Sequence, residues 1–150
     1  MFVREATPDD HLEVRRILDA AMLEPGNVER RIRAGDVLVA GDHLGRPDRP
    51  PANGGGTRER ILGTLVLEPH SVGEGAPDVG VDAGAHIVAI GVRRRHRGRG
   101  FGRRLIETAL EREPRLTARF DEGVRPFYER LGFSIEPIDD RRYQGVKHRE

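Results

Sequence analysis

The chain of 150 residues contains no cysteine and no tryptophan, and Lys147 is its single lysine. Without cysteine, disulfides, thiolate nucleophiles and cysteine-ligated zinc sites are excluded. The longest apolar run, HIVAIGV at residues 86–92, is far too short to span a bilayer, and the N-terminus lacks the apolar stretch of a secretion signal. Composition therefore predicts one soluble, cytoplasmic domain over residues 1–150, with no membrane partner.

Positive charge is concentrated in one short segment. Residues 93–104, here called the basic loop, contain seven arginines and no acid. Subtracting these seven from the formal net charge of +1 leaves −6 for the rest of the chain. A general nucleic-acid binder spreads its basic residues over a face or along a helix. An arginine-rich arm for nucleic acid is nevertheless an alternative interpretation of this segment taken alone.

Apolar periodicity and turn residues predict a layered α/β fold. Thr7 and Pro8 are typical of a helix start, and Pro114 of a helix end. Helices are predicted at residues 7–22, 28–35, 101–113 and 123–132. Strands are predicted at residues 36–40, 60–68, 86–92, 115–120, 133–138 and 143–147. Two segments rich in glycine and proline, 41–59 and 69–85, are predicted to be loops.

The basic loop lies between a predicted strand and a predicted helix. Its glycines at 98, 100 and 102 allow a tight turn and a close approach of backbone to a ligand. Backbone N–H groups and the dipole at the start of a helix attract anions, whereas arginines there are unfavourable unless an anion is bound. We therefore predict a phosphate or pyrophosphate ligand. The glycine spacing fits neither the dinucleotide fingerprint nor a P-loop.

Residues 97–102, Arg-Gly-Arg-Gly-Phe-Gly, match the pattern Gln/Arg-x-x-Gly-x-Gly/Ala, and FYERLGF follows about thirty residues later. With these motifs the chain resembles the GNAT (Gcn5-related N-acetyltransferase) superfamily. The resemblance implies a GNAT fold, in which a mixed central β-sheet is flanked by helices and splayed strands surround the acyl-CoA site. It also implies acetyl-CoA as co-substrate. The residues that it implies for binding are Ile90, Gly91, Val92, Arg97, Gly98, Arg99, Gly100, Phe101, Gly102 and Arg103.

The resemblance also implies catalytic residues. Tyr128 would be the general acid, since a phenol stays protonated at neutral pH and can protonate a leaving thiolate. Simple packing of its ring is the alternative. His86 stands where some members have a glutamate that acts as general base, and Glu68, at the end of the adjacent strand, is its rival for that role. The alternative for His86 is a polar residue at the start of its strand. Asp121 replaces an asparagine common in the family, which leaves the cofactor contacts of that turn open or suggests that Asp121 faces the amine substrate instead.

These features predict an enzyme that moves an acetyl group from acetyl-CoA to a primary amine by direct attack in a ternary complex. The acceptor is predicted to be a small-molecule or peptide amine, with no nucleic acid and no metal, because the histidines lack ligand spacing. Resemblance also suggests a homodimer. Two alternatives stay open: a catalytically silent acyl-CoA-binding regulator, and a nucleic-acid-binding module built on residues 93–104.

Overall fold

The computed structural model describes residues 1–21, 26–44, 58–69 and 84–149. Within these ranges the strands are β1 (Phe2–Glu5), β2 (Val37–Leu44), β3 (Arg58–Pro69), β4 (Ala85–Val92), β5 (Arg115–Asp121), β6 (Ser134–Pro137) and β7 (Arg142–His148). The helices are α1 (His11–Ala20), α2 (Val28–Arg33), α3 (Phe101–Arg112) and α4 (Arg125–Arg130). None of the described helices is long and apolar enough to cross a membrane.

The seven strands form one mixed sheet in the order β1-β2-β3-β4-β5-β7-β6. Strands β4 and β5 run parallel, whereas β1 with β2, β2 with β3, β5 with β7 and β6 with β7 are antiparallel. The parallel register of β4 with β5 comprises two pairs, Ala85 with Leu116 and His86 with Thr117. This mixed sheet with its helices confirms the predicted fold class.

The chain divides into two compact units, and the first consists of Met1–Val66 and Ala89–Leu105. Its core uses the apolar faces of α1 and α2 together with β2 and β3. Helix α1 packs tightly over β4, because a Cβ at Gly91 would lie 3.1 Å from Ile17 Cγ2. Glycine at this position therefore sets the distance between α1 and β4.

The predicted start of the first helix is confirmed. A 3-10 turn at Pro8–Asp10 precedes α1, and Thr7 stands in extended conformation at its N-cap. The Thr7 backbone N–H donates to Asp10 Oδ2 at 2.7 Å, and the Arg4 guanidinium binds both carboxylate oxygens of Asp10. Desolvation of the buried Asp10 opposes its ionisation, but hydrogen bonds from Arg4 and Thr7 outweigh it and lower the pKa of the carboxyl.

Two predictions about the first unit are wrong. Strand β1 was not predicted, because four residues are too few for a periodic signal and its pairing with β2 is a tertiary contact. The predicted loop at 41–59 is too long, since β2 continues to Leu44 and β3 begins at Arg58. A bulge between Ala40 and Gly41 and an ion pair of Asp42 with Arg60 at 2.6 Å let these polar residues stay in the sheet. Residues 45–57 lie outside the described residues.

The second unit consists of Leu67–Val88 and Ile106–Glu150. It contains most of α3, the helix α4 and the strands β5, β6 and β7, each within two residues of its predicted bounds. Gly132, with a φ of +87°, follows α4 as predicted, because an L-residue rarely adopts this conformation. The predicted loop 69–85 begins at the last residue of β3 and ends at the first of β4, and its residues 70–83 lie outside the described ranges.

Candidate functional site

The basic loop begins where β4 ends, in the first unit. A 3-10 turn at Arg94–His96 leads into residues 97–100, and α3 starts at Phe101. Gly98 and Gly100 have φ values of +82° and +91°, which L side chains rarely adopt, whereas a Cβ at either would meet nothing within 4 Å. Glycine is therefore required at these two positions by the left-handed backbone conformation and not by steric crowding.

The start of α3 offers polar backbone groups beside this turn. The Arg104 N–H donates to Gly100 O at 3.0 Å, which is a helical hydrogen bond at the start of α3. Phe101 and Gly102 are buried. No acidic side chain lies in the first helical turn, where one would ordinarily complement the dipole. This arrangement is chemically suited to an anionic group supplied from outside.

The arginines of the basic loop differ in their contacts. Arg93 joins β4 to the rest of the unit, since its Nη2 lies 2.5 Å from Glu13 Oε2 and its Nε donates to Ile61 O at 3.2 Å. Arg97 Nε donates to Val92 O at 3.2 Å, and Arg99 Nη1 lies 3.4 Å from His96 Nδ1. The sequence pattern makes all seven arginines look alike and does not indicate Glu13, because no local pattern relates an acid in α1 to residue 93.

The pKa of His96 reflects the positive charge of the basic loop. Desolvation is the largest cause that lowers the pKa of its imidazole, and the nearby Arg60 and Arg99 guanidinium groups lower it further. The imidazole therefore takes up a proton less readily than that of an ordinary histidine.

The predicted pantetheine segment lies at the end of β4, in the same unit. Gly91 is buried and Ile90 and Val92 are half-buried. The Arg93 N–H donates to Leu62 O at 2.7 Å, and the Val92 carbonyl accepts from Arg97. One backbone group of this segment, the Val92 carbonyl, therefore already accepts a hydrogen bond from the basic loop.

Tyr128 lies in the second unit, on α4, and is buried within an aromatic cluster. Its ring stacks on Phe120 at 4.3 Å and meets the edges or faces of Phe127 and Phe133 at 5.1 Å. Burial raises the pKa of its hydroxyl to about 12. The phenol therefore holds its proton throughout the neutral range.

Strand β7 holds both ends of α4. At the start of the helix, the Arg125 guanidinium lies 4.9 Å from the Tyr143 ring centroid, and Tyr143 also stacks on Phe120 at 6.2 Å. At the end, Lys147 Nζ donates to Leu131 O. The sequence motifs indicate no role for Tyr143 or Lys147. Their positions follow from the β5–β7 pairing, which no local pattern announces.

The two predicted bases also lie in the second unit. His86 is half-buried on β4, with Nδ1 at hydrogen-bond distance, 2.9 Å, from Thr117 Oγ1. Glu68 is exposed near the end of β3. Asp121 is exposed at the end of β5, in a groove with Asp139 and Asp140. Within the described residues, no group of three or more metal-binding side chains could hold a metal ion.

Comparison with known protein families assigns the chain to one of them. A family model described as Acetyltransferase (GNAT) domain matches residues 55–135. The chain therefore belongs to the GNAT acetyltransferase family.

Solved structures share its fold. One is an acetyltransferase of the GNAT family from Listeria monocytogenes 4b F2365, at 18% identity over 98% of this chain and 94% of that chain, with a TM-score of 0.66. Naa20 of Chaetomium thermophilum, in complex with a bisubstrate analogue, is similar at 17% identity over 99% and 86%, with a TM-score of 0.69. Ribosomal-protein-alanine N-acetyltransferase from Brucella melitensis is similar at 22% over 99% and 99%, with a TM-score of 0.63. No curated protein sequence matches the chain significantly.

Proposed function

We propose that the chain is an N-acetyltransferase that moves an acetyl group from acetyl-CoA to a primary amine by direct attack. The observation that supports this most strongly is the turn at residues 97–100, where Gly98 and Gly100 take left-handed conformations immediately before α3 and beside exposed arginines. Membership in the GNAT family and the amine acetyltransferases among its structural neighbours agree with it.

The basic loop fits the pyrophosphate of the co-substrate. Residues 97–103 would bind its oxygens through backbone N–H groups at the start of α3 and through the guanidinium groups of Arg97, Arg99 and Arg103. The backbone of Ile90, Gly91 and Val92 would bind the pantetheine arm. Because Arg97 Nε donates to Val92 O, phosphate binding to Arg97 would also release that carbonyl for the arm.

The protein's part in the chemistry is proton transfer and charge stabilisation; the co-substrate supplies an acyl group activated as a thioester. His86 or Glu68 would accept the proton of the incoming ammonium, directly or through water. A backbone N–H at the end of β4 would stabilise the oxyanion. A C–N bond then forms, the C–S bond breaks, and Tyr128 would protonate the departing thiolate.

One observation favours a second candidate, an acyl-CoA-binding protein without turnover. Burial of Tyr128 raises the pKa of its phenol to about 12, which keeps the proton in place but makes the group a weaker acid than a tyrosine in water. A silent regulator would bind acetyl-CoA in the basic loop and release no thiol.

Calorimetric titration with acetyl-CoA, repeated with duplex DNA present, tests the proposal. We expect saturable one-to-one binding that DNA does not displace, followed by release of free thiol when amines are added. Binding without thiol release for any amine would favour the silent regulator. Absence of acetyl-CoA binding together with salt-sensitive DNA binding would overturn the proposal in favour of a nucleic-acid module.

A further inference from the structure

A groove of about 580 Å³ lies in the first unit between the end of α1 and the first half of the basic loop. Its volume is within the range of small-ligand sites, roughly 300–1,000 Å³. Its lining residues are Arg16, Ile17, Ala20, Ala21 and residues 92–97.

The groove has an excess of positive charge. Among its lining residues are five arginines, at positions 16, 93, 94, 95 and 97, and none of these lining residues is acidic. Glu13, next to it on α1, pairs with both Arg16, at 3.1 Å, and Arg93, at 2.5 Å. In the part of the chain that the structure describes, no carboxylate pairs with Arg94 or Arg95, and both are exposed. Positive charge therefore remains for an anionic ligand.

The groove adjoins the predicted pyrophosphate site and shares Arg97 with it. Its lining ends at Arg97, whereas the left-handed glycines 98 and 100 and the start of α3 lie beyond that residue. Its other boundary is Val92, whose backbone is proposed to bind the pantetheine arm that ends in the thioester. A molecule in this groove would therefore lie beside the arm rather than on the phosphates.

The floor of the groove favours a peptide over nucleic acid. Ile17, Ala20 and Ala21 provide a small aliphatic surface, and the described lining includes no Phe, Tyr or Trp on which a base could stack. The chain outside the basic loop sums to −6, which repels an extended polyanion. A short chain with a few carboxylates suits a small cationic groove better.

We infer that this groove binds the acetyl acceptor, and that the acceptor is a peptide with a free amino terminus followed by acidic residues. The inference rests on the proposed acetyltransferase function and extends it to a substrate class. Arg94 and Arg95 would bind the carboxylates, while the aliphatic floor holds the peptide stems. Polyamines and other polycationic amines would be disfavoured, since they would bring like charges together.

The test measures binding, so that it does not depend on turnover. Three hexapeptides share an N-terminal alanine and differ in the next three positions, which are all Glu, all Gln or all Arg. Fluorescence anisotropy gives the Kd of each for the protein saturated with CoA, and acetylation of each gives kcat/KM. We expect the Glu peptide to bind at least tenfold more tightly than the Arg peptide, with Gln between them.

Charge reversal in the groove provides the decisive variant. Arg94→Glu with Arg95→Glu should invert the order of the three peptides while the Kd for CoA changes less than about threefold. Arg30→Glu with Arg33→Glu makes the same charge change on exposed positions of α2 outside the groove, and it should leave the order intact.

Three results would overturn the inference. Equal Kd values for the three peptides would show that the groove does not select charge. A tenfold or larger loss of CoA affinity in the Arg94/Arg95 variant would assign these arginines to the co-substrate. Tighter binding of a single-stranded oligonucleotide through the same two arginines would assign them to nucleic acid. If CoA itself does not bind, the proposed function fails, and the peptide order measured without CoA still decides whether the groove selects acidic chains.

Discussion

In the basic loop, Arg94, Arg95, Arg97 and Arg99 are exposed, and most of the contacts made there join residues close in sequence. The aromatic cluster, which comprises Phe120, Phe127, Tyr128, Phe133 and Tyr143, is assembled in the opposite way. Tyr128 is only 6% exposed, and its neighbours come from β5, α4 and the residue before β6. Substitutions in the basic loop should therefore cost little stability, whereas substitutions of Tyr128 would also disturb the packing of the second unit.

The largest effect is expected in the loop. Arg97→Glu combined with Gly100→Glu should weaken acetyl-CoA binding by about 100-fold or more, since each hydrogen bond to a charged group contributes roughly 1.5–3 kcal/mol. A Cβ at Gly100 meets no atom within 4 Å, so the fold should lose only about 1–2 kcal/mol through the left-handed backbone. Calorimetry measures the affinity for acetyl-CoA, and thermal unfolding measures the loss of stability.

Gly26→Glu with Arg30→Glu is the matched control. Gly26 is also left-handed, with a φ of +86° and open space for a Cβ, and Arg30 is exposed. The control should show the same loss of stability with unchanged acetyl-CoA affinity. Equal affinities for the two double variants would remove the basic loop from the binding site.

The second prediction concerns the aromatic cluster. Tyr128→Phe should lower turnover by about 100-fold, the lower end of general acid–base effects, because the phenol is a weak acid in its buried site. Affinity for acetyl-CoA should stay within about twofold. Thiol release under saturating substrates gives the rate.

Tyr143→Phe tests whether the effect belongs to one hydroxyl. Tyr143 stacks on the same Phe120, and its hydroxyl lies 3.5 Å from Arg125 Nη1. Its loss should change turnover by less than about threefold. If both variants keep full turnover, Tyr128 has only a packing role.

The third prediction uses the same hydroxyl as a probe of stability. Burial raises the pKa of Tyr128 from 10.0 to about 12, so the native state holds this proton more tightly than the unfolded state. Its contribution is complete below about pH 10 and is lost as pH rises through about 12, by on the order of 2–3 kcal/mol. Urea unfolding between pH 9 and 12 should show this fall, and Tyr128→Phe should reduce it. An identical fall in both proteins would contradict the burial argument.

The two regions also differ in how far the sequence predicted them. The basic loop was predicted because glycine conformations, helix starts and charge are local, and the turn at Gly98 and Gly100 is present as expected. The motif indicated Tyr128, but the stack of Phe120 between Tyr128 and Tyr143 depends on β5 pairing with β7. Strand β1 was missed for the same reason, since its partner lies about 35 residues away in β2.

The smallest expected effect is a change in the pKa of His96, which can be measured by NMR spectroscopy. In the free protein, desolvation and the nearby arginines lower the pKa of His96, which is itself part of the basic loop. A bound pyrophosphate would neutralise part of this positive field and favour the imidazolium, so the pKa of His96 should rise when acetyl-CoA is added. The free protein should therefore protonate His96 at lower pH than the complex does.

NMR titration of the imidazole resonances measures the pKa of His96 in the free protein and in the complex, with Arg97→Glu/Gly100→Glu as the control that shows no rise. A rise in the pKa of His96 would locate the bound phosphates in the basic loop, and an unchanged pKa in the saturated wild-type protein would place them elsewhere.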